Sequence, residues 1–152
     1  MWRAIFRTYN SVPLALVRLA LGIVMFPHCC QKMLGWWGGA GFTATMAGFG
    51  HRFGAPLAFL AISAEFFGGL GLILGFLSRV SAFGILCNMV VAIATLNYKF
   101  GMFMNWGGKQ KGEGFEFHIL AIAMALAVMS GGGGALSIDG WIAPAKRSKG
   151  GK

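Results

Sequence analysis

Pro56–Leu77, PLAFLAISAEFFGGLGLILGFL, is an almost wholly apolar run of 22 residues with a single charge, Glu65, near its middle. At about 1.5 Å of rise per residue, a helix of this length covers the roughly 30 Å hydrocarbon core of a bilayer. A carboxylate at that depth is costly unless it is neutral, paired or turned to a polar interior. Glu65 is therefore the first residue to carry a functional expectation. Ala58, Ala61, Glu65, Gly68 and Leu72 share one helical face, and Gly69 and Gly71 add smooth surface for a neighbouring helix.

Three further apolar stretches align with this one. The expected spans lie near 12–32, 56–77, 80–97 and 115–133, giving an all-α, polytopic membrane four-helix bundle within residues 12–141. A basic lead-in, 1–11, precedes it, and a basic tail, 142–152, follows. The first span keeps Arg18 in its apolar body and meets Pro27 just before His28-Cys29-Cys30-Gln31-Lys32. It is too long for a signal peptide and lacks a small-x-small cleavage site, so it is expected to remain as a helix. In the third span, Ser81, Gly84, Asn88, Ala92 and Thr95 form a small or polar stripe, leaving Phe83, Ile85, Leu86, Val90 and Ile93 for lipid or apolar packing. Residues 33–55 are glycine-broken. There Trp36 and Trp37 are expected at the interface, with a short surface helix over 43–49.

Composition agrees with a membrane protein. Of the 152 residues, 57% are hydrophobic and 11% charged, against roughly 25% charged in soluble domains. Mean hydropathy is +0.69. The net charge of +9 raises nucleic acid as a partner, but the basic residues sit at the ends and between apolar runs, with no basic helix or finger spacing. Control of topology and attraction to anionic lipid account for them, and no nucleic acid is expected. With four spans, Arg3, Arg7, Arg79, Lys146, Arg147, Lys149 and Lys152 fall on one side, and Lys32, Arg52, Lys99, Lys109 and Lys111 on the other. The excess places both termini in the cytoplasm, in an inner membrane.

Helix rise assigns depths to the polar residues. Counted from span ends, Arg18 and Glu65 come within reach of one another, and Asn88 reaches nearly the same level. Arg18, Glu65 and Asn88 are thus the expected central constellation, acting either as a helix fastener or as a site handling protons or quinone. A second cluster gathers His28, Cys29, Cys30, Gln31, Lys32, Asn97, Glu116 and His118 toward the far surface. Histidine suits proton transfer near neutral pH, and a glutamate can orient it. Adjacent cysteines are not a CxxC pair and would close a strained ring. No HExxH or CxxC…CxxC spacing supports a metal, and GGAG and GGGG lack the context of a nucleotide-binding loop.

Leu16–Phe42 (LVRLALGIVMFPHCCQKMLGWWGGAGF), Ala55–Arg79 (APLAFLAISAEFFGGLGLILGFLSR) and Gly112–Leu126 (GEGFEFHILAIAMAL) together resemble the DoxX family, including its DoxD-like members. The resemblance implies a compact four-helix membrane bundle and maps recurrent family positions to Arg18, Gly22, His28, Gln31, Lys32, Glu65, Gly68, Gly69, Arg79, Gly114 and Glu116. DoxD-like relatives are associated with thiosulfate:quinone oxidoreductase complexes, and other members with redox homeostasis or membrane complexes. Cys29-Cys30 and Asn97 depart from the pattern of many relatives.

These readings converge on a small integral subunit of a redox complex, quinone-linked or touching an electron-transfer partner. Arg18, Glu65 and Asn88 would hold the quinone head, with His28 and Glu116 as further catalytic candidates. No haem, flavin or iron–sulfur ligation pattern is evident, so electrons would come from a partner. The alternative is a non-catalytic assembly or stabilising subunit. Expected partners are membrane lipid, other subunits of a membrane complex, and a second copy as a homo-oligomer.

Overall fold

Helix α1, Val12–Met33, starts where the Ser11 hydroxyl accepts a hydrogen bond from the Leu14 amide, with Pro13 in its first turn. It runs through Pro27 without a break. The computed structural model describes residues 5–144; the beginning of the basic lead-in, with Trp2 and Arg3, and the tail from Ala145 lie outside the described residues. Helix α2, Gly41–Phe53, is longer than the surface segment expected over 43–49 and packs on both α1 and α3. Helix α3, Ala55–Leu74, carries Glu65 and stops at Gly75, whose φ of 67° is the left-handed C-terminal geometry glycine favours. Helix α4, Ser78–Ala92, continues through a π turn at Ile93–Asn97 and a 3-10 turn at Tyr98–Phe100. Helix α5 is Glu116–Gly131, and a short α6, Ile138–Ile142, closes the described chain.

Val12–Met33, Ala55–Leu74 and Ser78–Phe100 are each long and apolar enough to cross a membrane. With 16 residues, α5 reaches about 24 Å and is the short member of the bundle. The protein is a polytopic membrane helical bundle. Leu16, Ile23, Val24, Leu120 and Leu126 are exposed on its outside, where lipid rather than water is their neighbour.

Because lipid tails are as apolar as the side chains, these helices associate through close contact. A Cβ at Gly22 would stand 2.9 Å from the Ile73 amide nitrogen, so α1 presses directly on the α3 backbone. Gly69 returns the contact toward Phe26 and Cys29, and Gly84 of α4 meets Ala64 of α3. Leu21, Met25, Leu72, Ala82, Ile85, Met89, Ala121, Ala125 and Val128 fill the core between α1, α3, α4 and α5. Of the residues left for lipid or apolar packing on α4, Phe83 and Val90 face outward, while Ile85 is core.

Candidate functional site

Glu65 is 3% exposed, and its charge is met by Lys32. The Lys32 ammonium donates to both carboxylate oxygens at 2.7 Å, across the α1–α3 contact. Lys32 retains 34% of its side-chain surface, and its Nζ also lies 5.9 Å from the Phe49 ring centroid on α2. A charge that burial would otherwise forbid is thus fixed across the α1–α3 contact by a partly exposed lysine.

The pair lines a large groove of about 1050 Å³ that follows α3 and α4. Leu57, Leu60, Phe67, Leu74, Phe83 and Val91 form apolar walls. Lys32, Glu65, His28, His118, Asn88, Asn97 and Glu113 supply the polar lining. The shape is that of an amphiphile site, apolar along its length with few polar groups to orient a head. His118 lines the same groove as Lys32 and Glu65. Its Nδ1 is buried and has no hydrogen-bond partner among the described residues, an uncommon condition for a buried polar atom. His28 is exposed to the groove, with its ring 6.1 Å from that of Phe117. Asn88 donates Nδ2 to the Ala61 carbonyl at 2.8 Å, fastening α4 to α3 while lining the groove.

Arg18 is elsewhere. The expected Arg18–Glu65 pair does not form: Arg18 is 1% exposed and directs every hydrogen bond to backbone carbonyls. Nε donates to Gly133 at 2.6 Å, Nη1 to Leu72 and Ile73 at 2.6 and 2.9 Å, and Nη2 to Ala135 and Leu136. It closes the C-terminus of α3, where a cation meets the negative end of the helix dipole. The reason is register. Gly22 packs at Leu72 and Ile73, and the Cys29 thiol donates to the Glu65 carbonyl at 2.9 Å. Glu65 is therefore level with Cys29, eleven residues and about 16 Å beyond Arg18. Depths counted from span ends assumed helices with flush ends, and α1 and α3 are staggered.

Asp139 completes that closed end and was missed in the sequence. Its side chain is 1% exposed and accepts from the Leu77 and Ser78 amides at 2.7 and 2.8 Å, capping α4. Its signal was present: it is one of only four acidic residues in the chain, placed two residues after Ser137 in an otherwise apolar return. Arg79 does for α5 what Arg18 does for α3, donating to the Met129 and Ser130 carbonyls.

Glu116 stands outside the groove lining. Its Oε1 accepts from the Met104 amide at 3.0 Å and Trp106 Nε1 at 3.1 Å, holding the 101–115 loop against the start of α5. Glu113, on the same loop, reaches the groove, and its backbone carbonyl accepts from Asn97. The three cysteines are free. Cys29 and Cys30 are buried, and Cys87 is the one that lines the groove.

Among known proteins, the family model for DoxX matches residues 14–98, a segment that holds Arg18, Lys32, Glu65 and Asn88 but ends before Glu116 and His118. No curated protein and no solved structure matches the chain. More than half of the chain lies within that match, and the protein belongs to the DoxX family.

Proposed function

We propose that this protein is a quinone-linked subunit of a redox complex in an inner membrane, with both termini in the cytoplasm. The observation that carries the reading is the groove itself, an apolar surface along α3 and α4 whose polar lining includes the partly exposed Lys32 side chain and a His118 with a buried, unpartnered Nδ1. A quinone has a matching form, an apolar tail and a flat head with two hydrogen-bond-accepting oxygens.

Lys32 donates to one quinone oxygen while Glu65 keeps it oriented. His118 donates from Nδ1 to the other. Reduction to the quinol takes two electrons, supplied by a partner protein, and two protons, one for each oxygen. Lys32 and His118 stand where those protons are delivered, and Glu113 and Asn97 line the way toward the loop end. Arg18 and Asp139 take no part in this chemistry; they hold the opposite end of the bundle closed.

The test is titration of a short-tailed quinone into the purified protein in lipid nanodiscs. Saturable binding is expected, weakened about tenfold in H118L, the worth of one hydrogen bond at a desolvated site. Absence of saturable binding by the wild type overturns the reading. In that case the bundle is better understood as an assembly subunit, with Lys32–Glu65 fastening α1 to α3.

A further inference from the structure

Lys32 is the only lysine or arginine among the described residues lining the groove, and its charge is already answered at 2.7 Å by both oxygens of Glu65. Glu113, whose Oε2 accepts from the Asn105 amide at 2.8 Å, is a second acidic residue at the loop end of the same groove. Arg52 on α2 is turned to the Thr95 carbonyl. The fixed charges facing the groove therefore do not sum to a positive site, although the chain as a whole carries +9. His28 and His118 are the remaining titratable groups of the polar end.

We infer that the groove selects its amphiphile by charge, accepting a neutral, hydrogen-bond-accepting head and rejecting an anionic phosphate head, with Glu65 as the specificity-determining residue. The inference rests on the reading of the groove as an amphiphile site. A phosphodiester reaching for Lys32 meets the Glu65 carboxylate beside it and Glu113 at the loop end. The surrounding walls are apolar, and like charges are poorly screened there. A neutral head with carbonyl oxygens takes hydrogen bonds from Lys32 and His118 without adding charge. The selection matters in a membrane, because anionic lipids outnumber any minor neutral cofactor and would otherwise fill a groove headed by a bare lysine.

Replacing Glu65 by Gln keeps the shape and removes the counter-charge. The purified protein is titrated with an equimolar mixture of phosphatidylglycerol and an uncharged, phosphate-free diacylglycerol, and retained lipids are counted by native mass spectrometry. The basic ends are common to every variant, so the readout is the ratio of the two lipids relative to the wild type. E65Q is expected to raise that ratio about fivefold, the effect of one free lysine meeting an anionic lipid. K32M/E65Q should bring it back to the wild-type value, since the cation is then gone. E113Q, altered on the exposed loop and outside the bundle, should shift the ratio the same way by a smaller factor. An unchanged ratio in E65Q overturns the inference. The same samples titrated with short-tailed quinone separate the two claims. Quinone binding by the wild type with no gain of phosphatidylglycerol in E65Q sinks charge selection alone. A gain in E65Q with no quinone binding by the wild type leaves charge selection standing and sinks the quinone reading.

Discussion

Lys32 and Glu65 form a two-oxygen ion pair, 2.7 Å on each arm, between the last turn of α1 and the middle of α3. The Glu65 side chain is buried and the Lys32 side chain is a third exposed, so the two halves of the pair are not equivalent. Glu65 depends on Lys32 for its charge to be tolerated, whereas Lys32 retains access to the groove and to the interface.

Removing Lys32 should therefore harm the fold more than removing the charge of Glu65. K32M strands a buried carboxylate and is expected to destabilise the bundle by about 2 kcal/mol, less than a fully buried pair because Lys32 is partly solvated. E65Q should cost less, and K32M/E65L should recover most of the loss while binding no quinone. Thermal unfolding in detergent, followed by quinone titration of the same samples, checks all three. Equal losses in K32M and E65Q would contradict the asymmetry.

Arg18 is expected to behave as a structural residue. R18K keeps the charge but loses the planar fork that reaches five carbonyls on two segments, and should lower stability by about 2 kcal/mol. Quinone affinity of the folded fraction should stay within about twofold of the wild type, since Arg18 is not among the residues that line the groove. An affinity loss out of proportion to the stability loss would return Arg18 to the site.

The bundle was legible in the sequence because it rests on one-dimensional signals. Run length, the small-residue stripe of α3 and the proline at the start of α1 each specify local structure without knowledge of a neighbour. The candidate site was legible only in part. Glu65, Lys32, His28, His118 and Asn88 could all be singled out as polar residues in apolar surroundings. Which of them meet depends on the stagger of α1 against α3, and that is set by the seating of Gly22 on Ile73, a contact between distant segments. Without that register, depth along the helix pairs Arg18 with Glu65. Asp139 escaped notice because a buried acid in a short return is recognisable only once the amides of Leu77 and Ser78 are seen to need it.

That seating gives a third prediction. G22V places a branched side chain against the Ile73 backbone, which has no flexible end to yield, and should separate α1 from α3 at a cost of about 3 kcal/mol. The expected signature is loss of the folded fraction in mild detergent. A variant as stable as the wild type would contradict the register on which the Lys32–Glu65 pair depends.

Orientation is tested at the loop that carries Lys109, which is exposed. With cytoplasmic termini this loop faces the opposite side, so K109C should react with a membrane-impermeant maleimide added to intact spheroplasts. Labelling only after the membrane is permeabilised would invert the topology.

The central claim is that a quinone head sits at Lys32, Glu65 and His118 with its tail between α3 and α4. Photolysis of an azidoquinone bound to the protein in nanodiscs, with cross-links mapped by mass spectrometry, measures this directly. The expected adducts lie on groove residues such as Leu60, Cys87 and His118, and excess unlabelled quinone abolishes them. Adducts confined to the outer face of α1, at Leu16 or Ile23, or adducts that unlabelled quinone does not displace, would contradict the account.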